Sequence, residues 1–326
     1  MNRQAVLRAS IVLVALLGLN GCKSEETKSA KEAKSNDPVL VLDAGQDPRS
    51  VLRYDIAHGT TMNSTMEYGI VSLATTKRTA ALAVTPGVRL HIVSGPTMEG
   101  KRGVTRFDVR IVKAEAIVPP GLDPELAQDL NSSVSVLNNV GGWVEIDDRG
   151  IVKRAELNEA AKREDVPVRL LVMLINARTS LARVVLPAEA VGVGASWEAR
   201  KDLVLYGFEI NQVDTYTLQA KVGNELKLGV TIRQTAPEQS VTFEEDGVEI
   251  ALKSLTMEAT GEVIANLNAV EANAAARGES AAVINVTTVE GTDAIEIDRA
   301  FQVRMTVTYD LPGDETATEE AAETQE

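Results

Sequence analysis

Few residues in this chain have the type and spacing to do chemistry. The two histidines, His58 and His91, have no histidine or cysteine at ligand spacing, which disfavours a zinc centre. His58 precedes Gly59 in a turn-like stretch, and His91 alternates with Leu90 and Ile92 on the polar side of a strand. Ser196, in Gly194-Ala195-Ser196-Trp197, has the outline of a nucleophile elbow. That motif needs glycine two residues later and a helix beyond, whereas Glu198 and strand-like sequence follow. Gly192-Val193-Gly194 lacks the third glycine and the helix of a dinucleotide loop. Asp147-Asp148 and Glu244-Glu245-Asp246-Gly247 lack the alternating carboxylates of a calcium loop and read as turns. No acid–base or nucleophile constellation emerges. The chain is read as a non-enzyme with no catalytic residue, no metal ligand and no cofactor.

What remains is apolar. Leu170-Leu171-Val172-Met173-Leu174-Ile175 is hydrophobic nearly all round, as a helix buried on more than one side would be. Leu170 and Leu174 share one helical face. They are either ordinary core or one wall of an apolar ligand cavity, with Trp143 and Trp197 as the other candidate lining residues.

The elements that must position these residues are mostly strands. Tyr216 to Val222 and Leu226 to Ile232 alternate apolar and polar residues about Gly223-Asn224, a hairpin with one buried face. Similar alternation marks 52–56, 88–92, 105–111, 248–252, 282–286 and 301–309. Asp123-Pro124-Glu125 opens a helix whose stripe runs Leu122, Leu126, Leu130, Val134 and Leu137, with Gly141-Gly142 as its stop. A second helix is expected from about Pro167 to Leu186, stopped by Pro187, with a helical turn over 158–164 before it. The fold class is therefore α+β, a large curved antiparallel sheet with two or three helices packed on it. Trp143 in Gly-Gly-Trp-Val-Glu and Trp197 in Gly-Ala-Ser-Trp-Glu suggest a duplicated sheet, with pseudo-halves 48–186 and 187–312.

The 326 residues carry 33 basic against 47 acidic groups, a net charge of −14. Acid outnumbers base in the body as well as in the tail, so the surface repels phosphate backbones and no nucleic-acid partner is expected. An aromatic content of 3% also argues against a platform for stacking bases or sugars.

The N-terminus reads MNRQAVLRASIVLVALLGLNGC. Arg3 and Arg8 precede an apolar run, Ala9–Leu19, that is too short to span a bilayer and suits a signal-peptide core. Leu19-Asn20-Gly21-Cys22 resembles the lipobox of bacterial lipoproteins. Asn20 departs from that pattern, which prefers a small or β-branched residue there. The resemblance implies a signal peptide over 1–21, acylation of Cys22 and a membrane partner through that lipid. Lys23, rather than Asp, after the cysteine implies an outer-membrane location facing the periplasm or the surface. Cys22 is the only cysteine, so no disulfide can form. Residues 22–47 are read as the acylated cysteine and a charged tether, 48–312 as the globular domain and 313–326 as an acidic disordered tail.

The architecture resembles the half-barrel of bacterial lipoprotein and lipid carriers. The junction Leu186-Pro187, then Val191-Gly192-Val193-Gly194-Ala195-Ser196-Trp197, resembles uncharacterised bacterial lipoproteins of no assigned activity. Two functions follow as expectations. One is a module holding a lipid or apolar ligand between sheet and helices; the other is an envelope structural or interaction protein with a solid core.

Overall fold

The computed structural model describes residues 37–310, apart from 77–78, 100–103, 119, 167, 206, 244–247 and 289–290. In chain order the strands are β1 (Val39–Asp43), β2 (Ser50–Val51), β3 (Thr61–Thr76), β4 (Ala80–Ser94), β5 (Met98–Glu99), β6 (Thr105–Ile117), β7 (Gly141–Ile146) and β8 (Val152–Leu157). They continue as β9 (Ala190–Val191), β10 (Ser196–Leu205), β11 (Phe208–Val222), β12 (Glu225–Ala236), β13 (Gln239–Phe243), β14 (Val248–Asn266), β15 (Asn273–Thr288) and β16 (Gly291–Asp310). Helices α1 (Pro124–Ser135) and α2 (Val168–Leu181) lie between β6 and β9, with a 3₁₀ turn at Glu159–Lys162.

Fourteen strands form one sheet in the order β1-β10-β11-β12-β14-β15-β16-β3-β4-β6-β7-β8, with β13 beside β14 and β5 beside β6; β2 and β9 pair separately. Every pairing is antiparallel. The terminal strands β1 and β8 do not pair with each other, so the sheet is not closed into a barrel. Two helices against fourteen strands make the fold mainly β rather than α+β. The segments expected as halves form contiguous blocks, β10–β16 and β3–β8, which join where β16 pairs with β3.

Alternation aims one face inward along strands long enough to serve two apolar clusters in series. The larger gathers Met62, Leu90, Phe107, Leu174, Trp197 and Leu228. The smaller, toward the other end of the long strands, gathers Phe208, Ile250, Leu252, Ile284, Ile295 and Ile297. In β14 the inward set changes from Ile250 and Leu252 to Ala259, Val263 and Ala265. A register shift between Leu252 and Ser254 reverses the parity and keeps both sets on one face.

The gap between the terminal strands is bridged by side chains. Arg149, in the β7–β8 turn, donates two hydrogen bonds to Asp37 just before β1, at 2.8 and 2.9 Å, and a third to the Leu186 carbonyl. The chain over 52–60 crosses one end of the sheet through Tyr54 N to Asp148 O (2.7 Å), Asp55 N to Leu267 O (2.8 Å) and Thr97 N to Thr60 O (3.0 Å). The segment 182–187 lies with it, held by Ala272 N to Ala182 O and Leu186 N to Arg149 O.

Several expectations change. The sheet starts at Val39, inside the stretch expected as tether, because Val39 and Val41 face the core while β1 pairs with β10. The alternation at 52–56 forms no strand after Val51; Leu52 and Tyr54 are buried from an irregular crossing segment. Asp123 caps α1 as expected, accepting from Glu125 N and Leu126 N. The helix ends at Ser135, however, and Gly141-Gly142 begin β7. A Cβ on either glycine would stand 2.0 Å from a backbone oxygen of a neighbouring strand, so this pair serves close strand approach. Helix α2 ends at Leu181, five residues early, where Ala182 turns out to hydrogen-bond Ala272.

Candidate functional site

The last turn of α2 and the crossing segments bring a set of polar groups into the larger core. Glu271, in the link between β14 and β15, has a side chain only 2% exposed. Its Oε1 accepts from Arg178 on α2 and from the buried Ser94 hydroxyl at the end of β4, and Arg178 reaches the same hydroxyl at 3.0 Å. Tyr309 donates to the Glu271 backbone carbonyl (2.8 Å), and Tyr54 donates to the Val184 carbonyl (3.0 Å). Arg183, two residues past the end of α2, lies beside Gly150 and within electrostatic reach of Tyr54, Arg178, Glu271 and Tyr216. Among the described residues it forms no ion pair and no side-chain hydrogen bond.

Burial dominates the electrostatics. It pushes the Tyr54 and Tyr216 hydroxyls well above the ordinary phenol range, with the charge of Asp214 adding to the shift at Tyr216. It pushes Tyr309 up to about 12, with Glu271 adding to the shift. Desolvation pulls Arg183 down, opposed in part by Tyr54. Four atoms of this cluster are buried without a hydrogen-bond partner: Arg178 Nε, Arg183 Nε, Glu271 Oε2 and the Tyr216 hydroxyl.

A second polar chain fastens α2 to the other flank. The Gln212 amide donates to Ser180 on α2 (2.7 Å) and to Asp214 (2.6 Å), Lys201 meets Asp214 at 2.5 Å, and Gln234 donates to Gln212 (2.7 Å). None of its buried side-chain atoms lacks a hydrogen-bond partner, so it is structural glue of the satisfied kind. The Arg178–Glu271 cluster is different because part of its bonding capacity is unused.

The residues singled out from sequence separate. Trp197 is fully buried, donates to the Val185 carbonyl (2.8 Å) and packs on Tyr216 with ring centroids 5.7 Å apart. Leu174 is 2% exposed and belongs to the same core cluster. Trp143 stands on the opposite, outer face, with the Arg106 guanidinium 4.2 Å above its ring, because Val144 and Ile146 are the inward residues of β7. It is therefore removed from the set of interior lining residues. Leu170 lies in α2, and its side chain is outside the described residues, as is Cys22. His91 is on the outer face between Thr65 (3.3 Å) and Glu115 (3.2 Å). The Lys113 hydrogen bond, and then that from His91, hold Glu115 below the usual carboxylate range. His58 faces Glu99 at 3.7 Å on the surface.

Two concavities also lie on the outer face. One, of about 760 Å³, is lined by Val71, Leu73, Ala281 and Ala300, with Arg233 and Glu258 paired at its edge. The other, of about 310 Å³, lies beside His91. Neither touches Leu174 or Trp197. Among the described residues no group of three histidines, cysteines or carboxylates is placed to hold a metal, and no helix is long and apolar enough to cross a membrane.

Sequence reasoning passed over Arg178, Arg183 and Glu271. The available sign was charge in the wrong place: Glu271 interrupts the apolar stretch Leu267–Ala272, and Arg178 and Arg183 bracket Leu181 in another.

No family model matches the chain, and no curated protein matches it. Among solved structures it is similar to the "Crystal Structure of Pseudomonas aeruginosa OccK8 (OprE)", with a TM-score of 0.16 and 6% identity over 77% of this chain and 98% of that one. It is also similar to a chain described as "Asymmetric conductivity of engineered proteins", with a TM-score of 0.16 and 10% identity over 74% of this chain and 99% of that one. Likenesses this slight carry no argument about fold or function.

Proposed function

We propose that this is a non-enzymatic lipoprotein of the cell envelope, anchored through Cys22 to the outer membrane, which holds an apolar ligand or lipid between its sheet and α2. In this reading the open sheet is of half-barrel type, and its two blocks of strands descend from a duplication. The observation that carries it is the state of the interior. A core that only had to be stable would be either apolar or fully paired, yet here buried polar atoms beside α2 have no protein partner.

A second reading, an envelope scaffold or interaction protein with a solid core, is favoured by a different observation. Leu174 and Trp197 are almost fully enclosed by protein, and both concavities are on the outer face. Native mass spectrometry of protein purified from its own host separates the two. A co-purifying lipid mass supports the ligand reading, and a bare protein mass overturns it in favour of the scaffold. The anchor is tested separately. Cys22→Ser is expected to leave precursor or soluble protein, and continued partition with membranes in palmitate-labelled cells would refute acylation at that thiol.

A further inference from the structure

We propose that the polar end of this interior binds an anionic oxygen group, the carboxylate or phosphate of an amphiphile, through the Arg183 guanidinium with Arg178 beside it. The proposal deepens the apolar-ligand reading and, for the chain of the amphiphile, rests on it.

Charge balance is the first argument. The cluster contains two guanidinium groups, Arg178 and Arg183, and one carboxylate, Glu271, whose Oε1 is already taken by Arg178 and Ser94. One positive charge is left over. A lysine in such a place could shed its proton, but a guanidinium stays charged, so only a counter-anion or solvent can compensate it. Arg183 is only partly buried, so water meets some of its charge, but its Nε is enclosed, and a cation held at the edge of an apolar interior is stabilised by a counter-anion.

Directed bonding capacity is the second. The Nε atoms of both arginines are buried and donate to nothing. The Tyr216 hydroxyl, fully enclosed, lies beside the Val185 backbone but has no hydrogen bond of acceptable geometry. A carboxylate or phosphate accepts from several such donors at once, and guanidinium presents them in the planar fork those anions fit. Desolvation at Arg183 acts in the same direction, since a partly desolvated cation gains more from an arriving anion than a fully hydrated one does.

Position is the third. Arg183 stands in the crossing segment 182–187, whose next residues, Val184 to Leu186, are buried in the larger apolar cluster with Trp197 and Leu174. The Trp197 indole, bonded to Val185 and packed on Tyr216, is where the polar patch meets the apolar one. An amphiphile with a charged head and an aliphatic chain matches that boundary; a neutral lipid leaves the cation unmet.

The test uses delipidated mature protein and three probes: dodecanoate, dodecanol and inorganic phosphate, each titrated calorimetrically. Dodecanoate is expected to bind at least tenfold more tightly than dodecanol. Arg183→Met should abolish that preference while leaving dodecanol affinity unchanged, and Arg183→Lys should retain part of it. Equal affinity for dodecanoate and dodecanol overturns the headgroup site and spares the apolar-ligand reading. Binding of phosphate but of neither chain, lost in Arg183→Met, keeps the anion site and overturns the amphiphile. No binding of any probe refutes both. A tenfold preference that survives in Arg183→Met overturns the assignment to Arg183, as does a large loss of thermal stability in that variant, which would show the guanidinium to be structurally paired.

Discussion

The Arg178–Glu271 contact should behave as a buried ion pair, and a double-mutant cycle measures it. The side chains are 15% and 2% exposed, so neither charge has ready access to water. Replacing Arg178 by Met keeps most of the volume but breaks the buried pair, leaving Glu271 with the Ser94 hydroxyl as its only hydrogen-bond donor and Arg183 as a cation within electrostatic reach; breaking a buried pair costs about 3–5 kcal/mol. Replacing Glu271 by Leu leaves two guanidinium groups facing each other in the same space, at a cost of similar size. The double variant removes both charges and restores an apolar contact. Its residual loss should be no more than about 2 kcal/mol, chiefly from the Ser94 hydroxyl left without its acceptor. The coupling between the two sites is therefore expected to exceed about 3 kcal/mol.

Urea denaturation followed by tryptophan fluorescence in a Trp143→Phe background is the suitable assay, because the remaining indole, Trp197, is fully buried against Tyr216 and will respond to loss of the core. A domain of ordinary stability, about 5–15 kcal/mol, leaves the single variants folded enough to measure. Coupling below about 1 kcal/mol would refute the reasoning. It would mean that water reaches the pair, that its charges are screened, and that the interior is more open than the burial of Glu271 implies.

Two further outcomes follow from the same architecture. Arg149 holds the Asp37 carboxyl below the usual carboxylate range, so the folded value lies beneath the unfolded one; the stabilisation is complete above the unfolded value and is lost as pH falls through the folded one. Asp37→Asn should therefore lower the melting temperature at pH 7 and make no difference in strong acid, and a gap that stays constant with pH would refute the pairing. Leu174→Ala should cost about 2–5 kcal/mol by urea denaturation if the helix is ordinary core; a loss below about 1 kcal/mol would show Leu174 to be loosely packed and would favour a cavity.

What was legible in the sequence was local and periodic. The hairpin about Gly223-Asn224 appears as β11 and β12 because an inward set of Leu218, Leu226, Leu228, Val230 and Ile232 leaves little freedom of register. Asp123 could be recognised as a cap because an acid before Pro124 satisfies the orphan amides wherever a helix follows. Alternation fails where its inward residues are met by a segment rather than a strand. Leu52 and Tyr54 have the right spacing, but the chain leaves the sheet after Val51 to cross its end, and that departure depends on Asp148 and Leu267, far away in sequence. Gly141-Gly142 has the composition of a helix stop, and only the neighbouring strands reveal that the pair exists to let β6 and β8 approach.

The candidate site was less legible for a related reason. Trp143 and Trp197 sit in similar pentapeptides, yet one faces out under Arg106 and the other is the bulkiest of the fully buried side chains among the described residues. Facing is decided by strand parity, which a short motif does not encode. Arg178, Arg183 and Glu271 come from a helix end, a crossing segment and a strand connection, and no sequence spacing relates them. Each alone is an unremarkable charge. Together they are two partly buried cations around one buried anion, and that inequality exists only once the chain has folded. A search for function in such a chain is therefore better directed at interior charges that fail to balance than at residue types that resemble catalysts, since unpaired burial is the feature stability alone would have removed.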